Sequence, residues 1–166
     1  MNSVVLRVLL LALAVSISGC RQADGELPTP QGEVPGRLVD LTRDLMAVAR
    51  GETQATQDFA DDLRVFARNP EAEKTVTRFG LQIGDAVAGA GTKLTEQSAQ
   101  QLAHTSWTVV GATELSDRQV ETLRTDVQAQ LTALGIPEDR SAALAGQVPE
   151  VQKAISTRAR RWYEMF

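Results

Sequence analysis

From Leu38 to Phe166 the apolar residues recur every three or four positions, and no stretch sustains an alternation of apolar and polar residues rich in β-branched side chains. That period belongs to the α-helix, whose side chains return to one face at i+3, i+4 and i+7. Leu38, Leu41, Leu45 and Val48 make the first stripe. Ala55, Phe59, Leu63 and Phe66 make the second, either as a continuation past Gly51 or as the other arm of a tight pair. Ala72, Val76, Phe79, Ile83 and Val87 follow. Leu94, Leu102, Trp107, Val109 and Val110 form a thinner stripe in a segment rich in Gln and Thr. Two more run through Val120, Leu123, Val127, Leu131 and Leu134, and through Val151, Ile155, Ala159, Trp162 and Phe166. The expected fold class is all-α, a bundle of four to six helices after a flexible N-terminal tether.

Local signals place the helix ends. The first helix is predicted over 37–50, with Gly51 ending or interrupting it. In Asn69-Pro70-Glu71, Asn suits the N-cap, Pro the first helical position, and Glu71 and Glu73 the positive end of the helix dipole. Gly89 and Gly91 mark a break before a helix over 92–112. Ser116 and Gln119 form a capping box, with Leu115 and Val120 placed as a hydrophobic staple. Gly135, with Pro137 after it, stops that helix. A short helix fits 138–145, and the last begins near Pro149. Gly80, Gly84 and Ala88 lie four apart, a spacing that lets a second helix approach closely. Lys74, Arg78 and Asp85 in the same segment make this a soluble helix contact rather than a membrane one.

Composition narrows the means of stability. Hydrophobic residues make up 43% of the 166-residue chain but aromatics only 4%, so the core is built from Ala, Leu and Val. A single cysteine rules out an internal disulfide. The net charge of −4 does not provide the basic face that nucleic acid requires, so no nucleic-acid partner is expected.

The N-terminus carries an address. Arg7 is the only charge before Cys20, and the apolar run from Val4 to Ile17 is about 14 residues, shorter than the ~20 needed to cross a bilayer. Small residues follow at Ser16, Ser18 and Gly19, as in a cleavable export signal. Ile17-Ser18-Gly19-Cys20 resembles the lipobox of bacterial lipoproteins. That resemblance implies acylation of the Cys20 thiol, cleavage before Cys20 and a membrane partner reached through the lipid. Two or more acyl chains hold a protein stably where one does not. Arg21, in place of the Asp that the family uses for inner-membrane retention, implies the outer membrane, facing the periplasm. The expected organisation is a signal peptide over 1–19, a lipidated cysteine and Pro/Gly-rich tether over 20–36, and one helical domain over 37–166. Pro28, Pro30 and Pro35 extend a tether of roughly 20 Å average span.

Chemistry-bearing residues are sparse. His104 is the only histidine, and Cys20 is claimed by the lipid, so neither a zinc site nor a Cys-His pair is available. Ser106 sits two residues from His104, a spacing that does not face it on a helix. Asp58, Asp61 and Asp62 cluster on one predicted helix, where a wall-cleaving enzyme would need two carboxylates across a cleft. No phosphate-binding loop is present. No catalytic residue, metal site or cofactor is assigned, and the chain is read as not an enzyme. Arg158, Arg160, Arg161, Trp162 and Tyr163 form a basic aromatic end suited to a partner, or to complementing the helix dipole and anchoring the core.

Leu115-Ser116-x-x-Gln119 also resembles the Leu-Thr-x-x-Gln signature of small helical periplasmic stress chaperones, with Ser for Thr and a single copy. That resemblance implies a cradle-shaped dimer. The leading expectation is a lipid-anchored periplasmic interaction module with an envelope protein partner. It would be an assembly factor similar in plan to the helical pilotin lipoproteins, or an immunity or inhibitor lipoprotein. A stress chaperone or sensor and a cell-wall-acting enzyme are the alternatives.

Overall fold

The computed structural model describes residues 34–67, 70–112 and 114–163, with side chains described between 36 and 157. Every regular element among them is helical. The α-helices are α1 (Val34–Ala49), α2 (Ala55–Arg64), α3 (Pro70–Ala88), α4 (Glu96–Gly111), α5 (Asp117–Ala133), α6 (Glu138–Ala145) and α7 (Val148–Tyr163). Six of them have ten or more residues and α6 has eight, so the expected all-α bundle is observed. No described helix is long and apolar enough to cross a membrane.

Gly51 settles the first ambiguity. It stands at φ +81°, donates to the Val48 carbonyl, and the Glu52 N–H reaches back to Ala47. This is a Schellman ending, which glycine makes without the steric penalty of a Cβ. α1 and α2 are therefore a pair rather than one helix, and the Arg37–Asp62 ion pair at 4.0 Å shows that they run antiparallel. α5 stops in the same way: Gly135, at φ +82°, donates to Thr132, and Ile136 to Leu131. α3 ends at Ala88, immediately before Gly89.

Two starts differ from expectation. α1 begins at Val34, inside the segment read as tether. Pro35 falls in its first turn, where a missing N–H leaves no hydrogen bond unmade. α4 begins at Glu96 rather than Thr92, after a 3₁₀ turn over Gly91–Lys93. Thr95 caps it: its hydroxyl accepts from Ser98 N–H, and Ser98 Oγ accepts from Thr95 N–H. The Ser116 box forms as expected, with Gln119 N–H on Ser116 Oγ at 3.3 Å and Ser116 N–H on Gln119 Oε1 at 2.9 Å. The expected cap Asn69 lies outside the described residues.

α4 is packed from several sides. α1, α5 and α7 all contact it, and α2 packs most extensively on α3. Residues 105–110 of α4 are buried without interruption. A helix end enclosed on all sides has no exposed face to show against an apolar one, which is why its stripe reads thinly. Gln152 of α7, 4% exposed, donates to the carbonyls of Val109 and Ala112, groups that the end of α4 leaves without intrahelical donors. The core joins Leu41 and Leu45 to Phe59, Phe79, Ile83, Leu102, Leu123 and Leu131. Each such burial contributes about 1.5–3 kcal/mol.

The small-residue stripe on α3 meets α2. A methyl group on Gly80 would stand 2.8 Å from the Ala60 Cα, and one on Gly84 would stand 2.8 Å from Thr56 Cγ2. Gly80 and Gly84 thus make the close helix contact that the spacing predicted, while Ala88, the third residue of that spacing, is exposed.

Candidate functional site

The α1–α2 hairpin carries the densest charge chemistry among the described residues. Asp44, Glu52, Asp58, Asp61 and Asp62 line a cleft of about 450 Å³ together with Arg43 and Arg50. The imbalance, five carboxylates to two guanidinium groups, gives the cleft one dominant sign.

The cations are partly engaged. Arg50 donates to Glu52 at 2.9 Å. Arg43 pairs with Asp40 at 2.9 Å, Arg64 with Asp61 at 3.4 Å, and Arg37 with Asp62 at 4.0 Å. Asp44 fares worst: it is 8% exposed, and Arg43 Nε stands 3.8 Å from its Oδ1, too far for a hydrogen bond. Burial pushes the Asp44 carboxyl up to about 6 from its ordinary 3.8, with Asp62, Asp58 and Asp40 adding to the rise and Arg43 opposing it. Asp62 is also raised, first by burial and then by Asp40. Asp62 on α2 thus disfavours the charged form of Asp44 on the facing α1.

Asp44 is the site residue that sequence reasoning missed. Its signal was present: Leu41 at i−3 and Val48 at i+4 put a carboxylate inside an apolar stripe. Asp58, Asp61 and Asp62 were singled out, and the structure places all three in the cleft. No three His, Cys, Asp or Glu side chains form a metal-holding group among the described residues.

The other sequence candidates fall elsewhere. His104 is exposed on α4, edge-on to Trp107 with ring centroids 6.1 Å apart, while Ser106 is fully buried. Cys20 lies outside the described residues. Arg158, Arg160, Arg161, Trp162 and Tyr163 continue the helical backbone of α7, and their side chains lie outside the described residues. The letters Leu115-Ser116-x-x-Gln119 are occupied in starting α5.

No protein-family model matches the chain, and no curated protein or solved structure matches it either.

Proposed function

We propose that this chain is a lipid-anchored interaction module of the bacterial envelope, and that the α1–α2 cleft receives a cationic segment of a protein partner. An assembly factor and an immunity or inhibitor lipoprotein both fit that description. The observation that carries the reading is Asp44. Asp44 is 8% exposed, its near cation Arg43 stands 3.8 Å from Oδ1, and the cleft around it is mostly negative, so the charge of its carboxylate is only weakly compensated by the described residues. An Arg or Lys from outside would neutralise it, and charge complementarity of this kind gives specificity and fast association.

The placement is consistent with this role. Asp44 lies ten residues beyond the start of α1 at Val34, about 15 Å along the helix. With the lipid at Cys20, the cleft would stand off from the bilayer and within reach of a neighbour. The test is affinity capture from solubilised envelope with the full-length chain and a Cys20→Ser control. One stoichiometric partner, lost when the anchor is lost, supports the reading. Equal capture by both chains, or none, counts against it.

A specific observation also favours a wall-cleaving enzyme. A carboxyl held near 6 beside a second raised carboxyl is the arrangement from which a general acid works near neutral pH. Incubation with purified sacculi decides it: soluble glycan released by wild type and not by Asp44→Asn would establish the enzyme and displace the binding role.

A further inference from the structure

A second concave site, of about 590 Å³, lies where α1, α4 and α5 meet. That volume falls within the range of small-ligand pockets. Its lining is unlike the acidic cleft: Gln97, Gln100, Gln101 and His104 come from α4, and Asp126 and Gln130 from α5. Those four α4 residues are exposed while Thr105, the fifth α4 residue in the lining, is buried, and Gln97, Gln101 and His104 recur at i, i+4 and i+7 on one face. Among the described residues no Lys or Arg lines this groove, and Asp126 is its one carboxylate.

The lining excludes most ligand classes. An anion would find no cation there. A polycation would find a single carboxylate, and burial raises Asp126 toward its neutral form. An extended peptide needs pockets for its apolar side chains, and Leu38 is the only aliphatic residue in the lining. Side-chain amides, in contrast, both donate and accept, as sugar hydroxyl groups and N-acetyl amides do. Gln130 adds an unmet demand. Its Nε2 donates to Thr105 Oγ1 at 2.9 Å, while its Oε1 is buried without a partner. Gln130 lines the groove, so its amide, with a soft terminal torsion, stands beside whatever occupies it. The His104 ring, braced edge-on by Trp107 at an interplanar angle of 75°, supplies a held planar group at the border.

We propose that the groove between α1, α4 and α5 binds an uncharged, N-acetylated glycan, with the Gln97–Gln101–His104 face of α4 and the Gln130 amide as its hydrogen-bonding surfaces. This site is separate from the acidic cleft and does not depend on the reading given to it.

The test is calorimetric titration of tetra-N-acetylchitotetraose into the full chain in detergent. Wild type is expected to bind saturably. Gln101→Ala and Gln130→Leu are each expected to weaken binding about tenfold, the loss of roughly one good hydrogen bond. Gln101 is exposed, so its variant should melt with wild type and separate lost contact from lost fold. Gln57→Ala on α2 is expected to bind the sugar as wild type does. Absence of saturable sugar binding would overturn the proposal. So would equal affinity in Gln101→Ala and wild type, or binding of a pentaglycine peptide in place of the sugar.

Discussion

Gly80 faces the backbone of Ala60 so closely that a methyl group added to it would stand 2.8 Å from the Ala60 Cα. The contact fixes the separation of α2 and α3, the most extensively packed helix pair. Backbone cannot swing aside as a long side chain can. Gly80→Ala is expected to lose about 1–2 kcal/mol net, overpacking of about 1–3 kcal/mol offset by a propensity gain of up to about 1. Gly36→Ala, with nothing within 4 Å of its added methyl, should gain a few tenths of a kcal/mol or more. Denaturant midpoints of the two variants should move in opposite directions.

Asp44 makes stability depend on pH. Its carboxyl is raised to about 6 from 3.8, so the folded protein holds that proton more tightly than the unfolded chain does. The Asp44 contribution to stability is therefore best below about pH 4, declines between about 4 and 6, and is least favourable above 6. At 1.36 kcal/mol per unit the penalty is at most about 3 kcal/mol. Asp44→Asn should stabilise the fold at pH 7.5 and leave it nearly unchanged at pH 4. Chemical denaturation at the two pH values checks this, and equal gains at both would remove Asp44 as the cause.

Gln152 ties α7 to the end of α4 through the Val109 and Ala112 carbonyls. Gln152→Leu keeps the volume and leaves both acceptors buried, at a cost of about 1–3 kcal/mol. The Arg78–Glu150 bond between α3 and α7, and the Gln82–Gln147 bond from α3 to the turn just before α7, remain in that variant. Loss of protection should therefore concentrate at the last turn of α4, and amide exchange at residues 109–112 reads it.

Glu114 stands at φ +68° in the α4–α5 loop, a conformation that costs a residue with a Cβ about 1–2 kcal/mol. Glu114→Gly removes that strain and gives back part of the gain through a freer unfolded chain. A rise of up to about 1 kcal/mol is expected, seen as a higher urea midpoint with unchanged slope.

What could be read from the sequence was local. Ser116 with Gln119, and Gly135, act on residues within one turn, so their spacing alone places two helix ends. Gly80 and Gly84 announced a close helix contact, but the partners Ala60 and Thr56 come from a separate helix that no spacing identifies. The late start of α4 came from Thr95 and Ser98, a box made with Ser where Glu or Gln is the familiar third residue. The acidic cleft was half legible. Asp58, Asp61 and Asp62 stood out by crowding, whereas Asp44 gains its character first from burial in the fold and then from Asp62 on the folded-back α2. The amide groove was not legible at all, because Gln97 and Gln130 belong to different helices.

The most direct measurement is quantitative affinity capture from solubilised envelope with wild type and the Asp58→Asn, Asp61→Asn double variant side by side, at low and high salt. Both residues are at least partly exposed, so the variant should fold with nearly unchanged stability. The expected result is one protein partner held by wild type, weakened at high salt and lost from the variant. Full retention of that partner by the variant at both salt concentrations would contradict the assignment of the cleft as the binding site.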